Sequence, residues 1–135
     1  MSDDRYRRGL AKLREMHGET GEAALAALAD LAPDLGRHVV EYAFGDLYAR
    51  PGLDAKTRQL VTVSALVAMA DAQPQLEVHF RSALRLGWTR EELVEVVLQL
   101  AAYAGFPAAM NAIAALRLAL AEAATVGPVT PPSAD

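Results

Sequence analysis

The chain contains no cysteine. Disulfides, thiolate zinc sites, dithiol redox couples and cysteine nucleophiles are excluded together by that absence. Aromatic residues are few, with 3 Phe, 4 Tyr and 1 Trp among 135 residues. A small alanine-rich monomer would thus have few large groups to fill a core, and burial between subunits would relieve the shortage. Lysine is nearly missing: 11 of the 13 cationic residues are Arg. No basic run or stripe interleaved with aromatics occurs and the formal net charge is −4, so a nucleic-acid partner is not expected. No apolar run reaches the length of a membrane span. Leu60 to Ala70 is the longest nearly unbroken one, and the stretch from Leu93 to Ala124 is interrupted by Glu95, Gln99, Pro107, Asn111 and Arg117. Met1 to Arg8 is polar and charged, unlike a signal peptide. The expectation is a cytoplasmic chain without a membrane partner.

What is present favours helix. Hydrophobic residues make up 53% of the chain, and alanine and leucine supply much of that while strand-forming types are sparse. The expected fold is all-α: a single-domain bundle of five to six helices over residues 1–125, followed by a Pro- and Gly-containing disordered tail at 126–135. Helices are expected over Asp3–His17, Thr20–Leu31, Asp34–Tyr48, Asp54–Ala70, Gln75–Leu86, Arg90–Tyr103 and Pro107–Ala124. Asp54 is positioned as an N-cap. Thr89 followed by Glu92 is a capping box. The helices containing Leu60–Ala70 and Leu93–Ala102 are apolar nearly all round, which independently points to a homo-oligomer.

Candidates for chemistry are few. His17 lies at a polar helix end and reads as solvated. His38 and Glu41 are spaced i, i+3, but a helical metal site usually needs further such pairs, so no metal is expected. His79 lies on the flank of a stripe formed by Leu76, Phe80, Ala83, Leu84 and Gly87, where a ring can border a cleft. Spacing alone favours a structural, hydrogen-bonded histidine there over a catalytic one. Arg58 opens a helix that is apolar beyond it, so it either caps its surroundings through an ion pair or points into a pocket. Glu95, among Leu93, Val94, Val96 and Val97, reads as half of a buried salt bridge. Tyr42, Tyr48, Tyr103 and Asn111 carry polar tips on apolar helices; each is either a satisfied core group or a pocket-lining one.

Four segments in order resemble a known family. Glu41-Tyr42-Ala43-Phe44-Gly45-Asp46-Leu47-Tyr48-Ala49-Arg50-Pro51-Gly52-Leu53 is similar to the aromatic segment and Arg-Pro-Gly-Leu turn of carboxymuconolactone decarboxylases. Thr57-Arg58-Gln59-Leu60-Val61-Thr62 resembles their next helix start. Leu76 through His79, with Gly87-Trp88-Thr89-Arg90-Glu91-Glu92, resembles their histidine helix and the corner after it. Tyr103-Ala104-Gly105-Phe106-Pro107-Ala108-Ala109 resembles their Tyr-x-Gly-x-Pro-Ala-Ala segment. The resemblance runs from about Asp4 to Glu122. It implies an alkylhydroperoxidase D-like all-α fold, a homo-oligomer that in the family is often a hexamer, and decarboxylation of a small carboxylated molecule without a cofactor. The thiol peroxidases of this fold need a Cys-x-x-Cys before the histidine, where this chain has Ala72 and Gln75. Departures gather near the implied pocket: Arg85-Leu86 stands before the corner glycine in place of Asn-Asn, Trp88 replaces a smaller apolar residue, and Ala114 and Ala115 stand where a histidine is common.

The resemblance casts His79 as the catalytic acid or enolate partner and Arg58 as the carboxylate holder, with Tyr42, Tyr48, Arg85, Trp88, Tyr103 and Asn111 around the substrate. Imidazole, with an ordinary pKa near working pH, suits proton transfer. Two other readings stand beside this one: a relative acting on another enolisable compound of natural-product metabolism, and a non-catalytic helical oligomer that binds a ligand. The tail composition yields a first prediction. Truncation after Thr125 leaves melting temperature and assembly unchanged; a large fall in either would show that the tail docks on the body or on a neighbouring subunit.

Overall fold

The computed structural model describes residues 2–126. The tail expected at 126–135 falls, beyond Val126, outside the described residues. Seven α-helices and one π-helix account for the regular structure among the described residues, more than the five to six helices expected, and no strand occurs among them. The fold is all-α, as the composition implied. The chain divides between Leu60 and Val61 into two compact units, and that boundary falls within the helix α4, Ala55–Met69.

The first unit holds α1 (Ser2–His17), α2 (Glu19–Ala26), α3 (Pro33–His38) and a π-helix of ten residues, Val39–Tyr48. Pro33 at the first turn of α3 starts that helix without sacrificing a hydrogen bond. A single α-helix was expected over 34–48, but from Val39 onward the winding is wider. The neighbourhood of this segment is set by backbone contact, which side-chain periodicity does not report. A Cβ on Gly9 of α1 would fall on the Val40 carbonyl oxygen, and one on Gly45 would lie 2.9 Å from the Arg5 carbonyl oxygen. The two helices thus touch through main chain at two glycines.

Leu13, Met16, Val40 and Phe44 are buried around this contact. Charges clasp its rim: Arg5 Nε donates to Asp46 Oδ2 at 3.0 Å, Arg8 Nε to the Gly45 carbonyl at 2.9 Å, and Arg37 Nε to Glu41 Oε1 at 3.0 Å. Arg5 also reaches the buried Glu41 at 3.7 Å. The guanidinium of Arg5 holds the Asp46 carboxyl below its ordinary pKa. The expected helix over 20–31 is shorter than its leucine spacing suggested. It ends at Ala26 and turns follow, leaving Leu31 exposed.

The second unit holds the rest of α4 with α5 (Gln73–Arg85), α6 (Arg90–Ala104) and α7 (Phe106–Val126). The cap expected at Asp54 forms, its Oδ1 accepting the Thr57 N–H at 2.7 Å. So does the capping box: the Glu92 N–H donates to Thr89 Oγ1 at 3.1 Å and the Thr89 N–H to Glu92 Oε1 at 3.0 Å. Gly105, at φ 95°, makes the hairpin between α6 and α7. The inward side of α7 is nearly all alanine: Ala108, Ala112, Ala115 and Ala119 are buried at helical spacing. Facing them are Leu76, Phe80 and Ala83 of α5 and Leu93 and Val97 of α6. Arg81 Nη1 pins α5 to α7, lying 3.0 Å from Glu77 and 2.6 Å from Glu122.

The glycine contact generates a prediction. Gly9→Ala places a methyl group on backbone that cannot swing aside, so it costs about 1–3 kcal/mol and lowers the melting temperature by several degrees. Gly36→Ala is the control, since its Cβ meets only leucine methyls at 3.7 Å or beyond; it leaves stability unchanged or raises it by up to about 1 kcal/mol. Equal melting temperatures for Gly9→Ala and the parent would refute the close approach.

Candidate active site

In the first unit Arg58 acts first on the turn that precedes its own helix. Its Nε donates to the Leu53 carbonyl at 3.1 Å and its Nη2 to the Arg50 carbonyl at 3.2 Å. The guanidinium therefore clamps Arg50-Pro51-Gly52-Leu53, which explains why an Arg follows such a turn at this spacing. Tyr48 is half-buried and stacks on Phe44 with ring centres 5.0 Å apart and planes 14° from parallel. His17, expected in solvent, is instead buried with its ring edge-on to Phe44 at 5.3 Å. It sits in the last turn of α1, and the close approach at Gly9 draws that end inward. Tyr42 faces outward, 58% exposed.

In the second unit His79 lies on α5 beside Leu76, Phe80 and Ala83, which are buried, while His79 itself is half-buried. This is the flank position its spacing indicated. Loss of water around the ring pushes its pKa from 6.5 down to about 4. The expectation of an imidazole titrating near pH 7 is therefore corrected: at neutral pH the ring is uncharged, with one N–H to donate and one nitrogen to accept.

The corner after α5 is a Schellman turn. The Gly87 N–H reaches the Leu84 carbonyl at 3.1 Å and the Trp88 N–H reaches the Ala83 carbonyl at 3.0 Å, with Gly87 at φ 102°. Only glycine takes that conformation cheaply, so Gly87 fixes where the half-buried Trp88 emerges. Arg85, in the last turn of α5, is exposed.

Tyr103 is 84% exposed at the end of α6. Asn111 is exposed too, but its main-chain carbonyl accepts a 2.8 Å hydrogen bond from Gln73 Nε2, tying the start of the histidine helix to α7. Glu95 is exposed and makes no ion pair among the described residues, so the buried salt bridge expected for it does not form. Its apolar neighbours misled because α6 keeps an outward face of mixed chemistry.

A cavity of about 420 Å³ opens between α6 and α7, lined by Val97, Leu98, Phe106, Met110 and Ile113 among other apolar residues. It offers no charged or hydrogen-bonding side chain, so it cannot hold a carboxylate, and none of the candidate residues lines it. No cluster of three or more His, Asp or Glu suited to a metal exists among the described residues. Sequence reasoning passed over Gln59, which is fully buried. Its i, i+4, i+8 spacing with the buried Val63 and Val67 was the available signal.

The depressed His79 pKa makes a prediction that needs no substrate. Between pH 6.5 and about 4 the unfolded chain binds a proton that the folded chain refuses, so folding stability falls as pH falls through that window. The loss amounts to roughly 3 kcal/mol when complete. Denaturant unfolding of the parent and of His79→Gln at pH 7 and pH 4.5 reads it. The difference between the two proteins shifts in favour of His79→Gln at the lower pH, and a difference independent of pH would contradict the burial.

Known proteins resemble this chain over much of its length. The profile of the carboxymuconolactone decarboxylase family matches residues 33–118, from α3 into α7. A 4-carboxymuconolactone decarboxylase of Acinetobacter baylyi is 36% identical over 115 residues, 84% of this chain and 85% of that protein. A 15.0 kDa protein of Paracoccus denitrificans without a described function is 38% identical over 90 residues, 66% of this chain and 67% of that one. A nitrosuccinic acid decarboxylase of Metarhizium robertsii is 37% identical over 75 residues, 56% of this chain and 52% of its own length. With the four motif segments in order on an all-helical frame, the chain belongs to the carboxymuconolactone decarboxylase family.

Proposed function

We propose that this chain decarboxylates 4-carboxymuconolactone to β-ketoadipate enol-lactone, as a cytoplasmic homo-oligomer and without a metal or organic cofactor. The observation that carries the reading is its 36% identity over 84% of its length to an enzyme named for that substrate. The chemistry suits a protein with few polar groups. When the carbon–carbon bond to the carboxylate breaks, CO₂ leaves and the electron pair spreads through the ring double bond onto the lactone carbonyl oxygen. The substrate is thus its own electron sink. The protein must hold the carboxylates, steady the oxygen anion as it forms, and return a proton to carbon.

Its neutral ring gives His79 a definite part. An uncharged imidazole donates an N–H hydrogen bond to the growing enolate oxygen; that negative charge raises the ring's proton affinity, so its other nitrogen takes up a proton from solvent water and the ring then delivers one proton to carbon, ending neutral again. Arg58 holds a carboxylate while its Nε and Nη2 clamp the turn at Arg50 and Leu53. In this reading Arg85, Trp88, Tyr103 and Asn111, which belong to the same unit as His79, supply further contacts to the substrate.

A second reading is favoured by the similarity to a nitrosuccinic acid decarboxylase. It keeps the decarboxylation but replaces the lactone by another acid whose carboxylate stands near an electron-accepting group. The apolar corner of Leu86 and Trp88 is compatible with such a substrate.

His79→Gln keeps hydrogen bonding and approximate size but loses the imidazole's acid–base chemistry. It folds and assembles normally and loses roughly 10²- to 10⁴-fold in turnover of carboxymuconolactone. Arg58→Lys raises KM more than it lowers kcat, because an ammonium lacks the two-pronged fork. For the parent, kcat/KM carries no tenfold-per-unit decline from His79 between pH 6 and 8, as it would if the free enzyme needed a cationic ring. Full activity in folded His79→Gln removes the mechanism, and activity lost on adding a chelator removes the cofactor-free reading. Turnover of other acids alone selects the second reading.

A further inference from the structure

Helix α5 is enclosed on more than one side. Leu76, Phe80 and Ala83 form its packed stripe, yet Ser82 is buried too, at 3% exposure. With 3.6 residues to a turn, Ser82 stands about a third of a turn away from the centre of that stripe. His79 falls between the two, with Ala83 on one side of it around the helix and Ser82 on the other.

A hydroxyl taken out of water needs hydrogen-bond partners. Ser82 follows His79 by three residues, a spacing that sets the two Cβ atoms about 5–6 Å apart. The other positions along this edge of α5 offer less. Leu86 has no polar side-chain atom, and Gln75, one turn before His79, is exposed. A serine within a helix can also bond back to a carbonyl three or four residues earlier. Here those carbonyls, of Val78 and His79, already accept the N–H groups of Ala83 and Ser82 inside α5. The imidazole is the better acceptor. At neutral pH its ring is uncharged, so one of its nitrogens is bare. Of the two nitrogens Nδ1 is nearer the main chain, and a serine side chain is too short to reach past it to Nε2.

We propose that Ser82 is a positioning residue for His79: its hydroxyl donates to Nδ1, keeps the ring proton on Nε2 and aims that N–H away from α5. The tautomer is independent of any substrate. Only its catalytic consequence rests on the decarboxylase reading, in which this N–H meets the enolate oxygen. A hydroxyl serves both states of the ring. It donates to a bare Nδ1, and it turns to accept from Nδ1 once that nitrogen has taken up a proton. A main-chain carbonyl in its place could only accept, and would fix the opposite tautomer.

Nitrogen-15 spectra of labelled protein at neutral pH read the tautomer without substrate, the His79 signals being identified by their loss in His79→Gln. In the parent the proton resides on Nε2. Ser82→Ala removes only the hydroxyl and retains helical circular dichroism, and a second population with the proton on Nδ1 appears. Its kcat falls about 3- to 10-fold, the effect of one lost hydrogen bond between uncharged groups, while KM is unchanged because Ser82 acts through the ring. Ser82→Thr keeps the hydroxyl and restores the tautomer and most of the turnover. A parent ring protonated on Nδ1 would overturn the proposal whether or not Ser82→Ala folds. So would an unaltered His79 spectrum in folded Ser82→Ala, the result if the hydroxyl bonds back to α5. A shifted tautomer with unchanged kcat would instead overturn the donor role of His79 in the decarboxylase reading, and leave Ser82 as the group that holds the ring.

Discussion

The alanines on the inner side of α7 set the spacing of the second unit. With Ala108, Ala112, Ala115 and Ala119 buried there, α5 and α6 lie close against the α7 backbone, and a few larger side chains, chiefly Phe80, Leu93 and Leu116, fill what remains. This is how a chain poor in aromatics still packs a core. It also fixes the histidine helix: α5 is held along its length by alanine contact, at its start by Gln73 on the Asn111 carbonyl, and near its middle by Arg81 between Glu77 and Glu122. His79 thus rides on a helix held at three places along its length.

The electrostatics of that histidine follow from the same packing. Leu76, Phe80 and Ala83 beside it are buried, and its pKa falls because water is removed from it. A ring kept neutral by burial, rather than by a nearby cation, changes its proton affinity strongly when an anion arrives, because the dielectric that penalised its charge also strengthens attraction to the newcomer.

Much of this was legible in the sequence where a signal is local. The capping box at Thr89 and the cap at Asp54 depend on residues within a few positions of one another, and both form as expected. The flank position of His79 followed from helical spacing alone. What could not be read depended on contacts between distant segments. His17 is buried because α1 meets the π-helix main chain to main chain, a contact marked in sequence only by two glycines 36 positions apart, Gly9 and Gly45. Its pKa moved His79 out of its expected range through three-dimensional burial, which no spacing encodes. Glu95 looked buried because its neighbours in sequence are apolar, but on a helix those neighbours point elsewhere.

The π-helix has a consequence for the register of its own side chains. Bonding from each residue to the fifth beyond it spends more residues per turn than an α-helix does. Across 39–48 the outward and inward positions therefore drift out of step with those of α3 just before. Loss of a single residue there would let the segment relax to ordinary winding without breaking the chain path, while rotating Tyr48 off the face of Phe44.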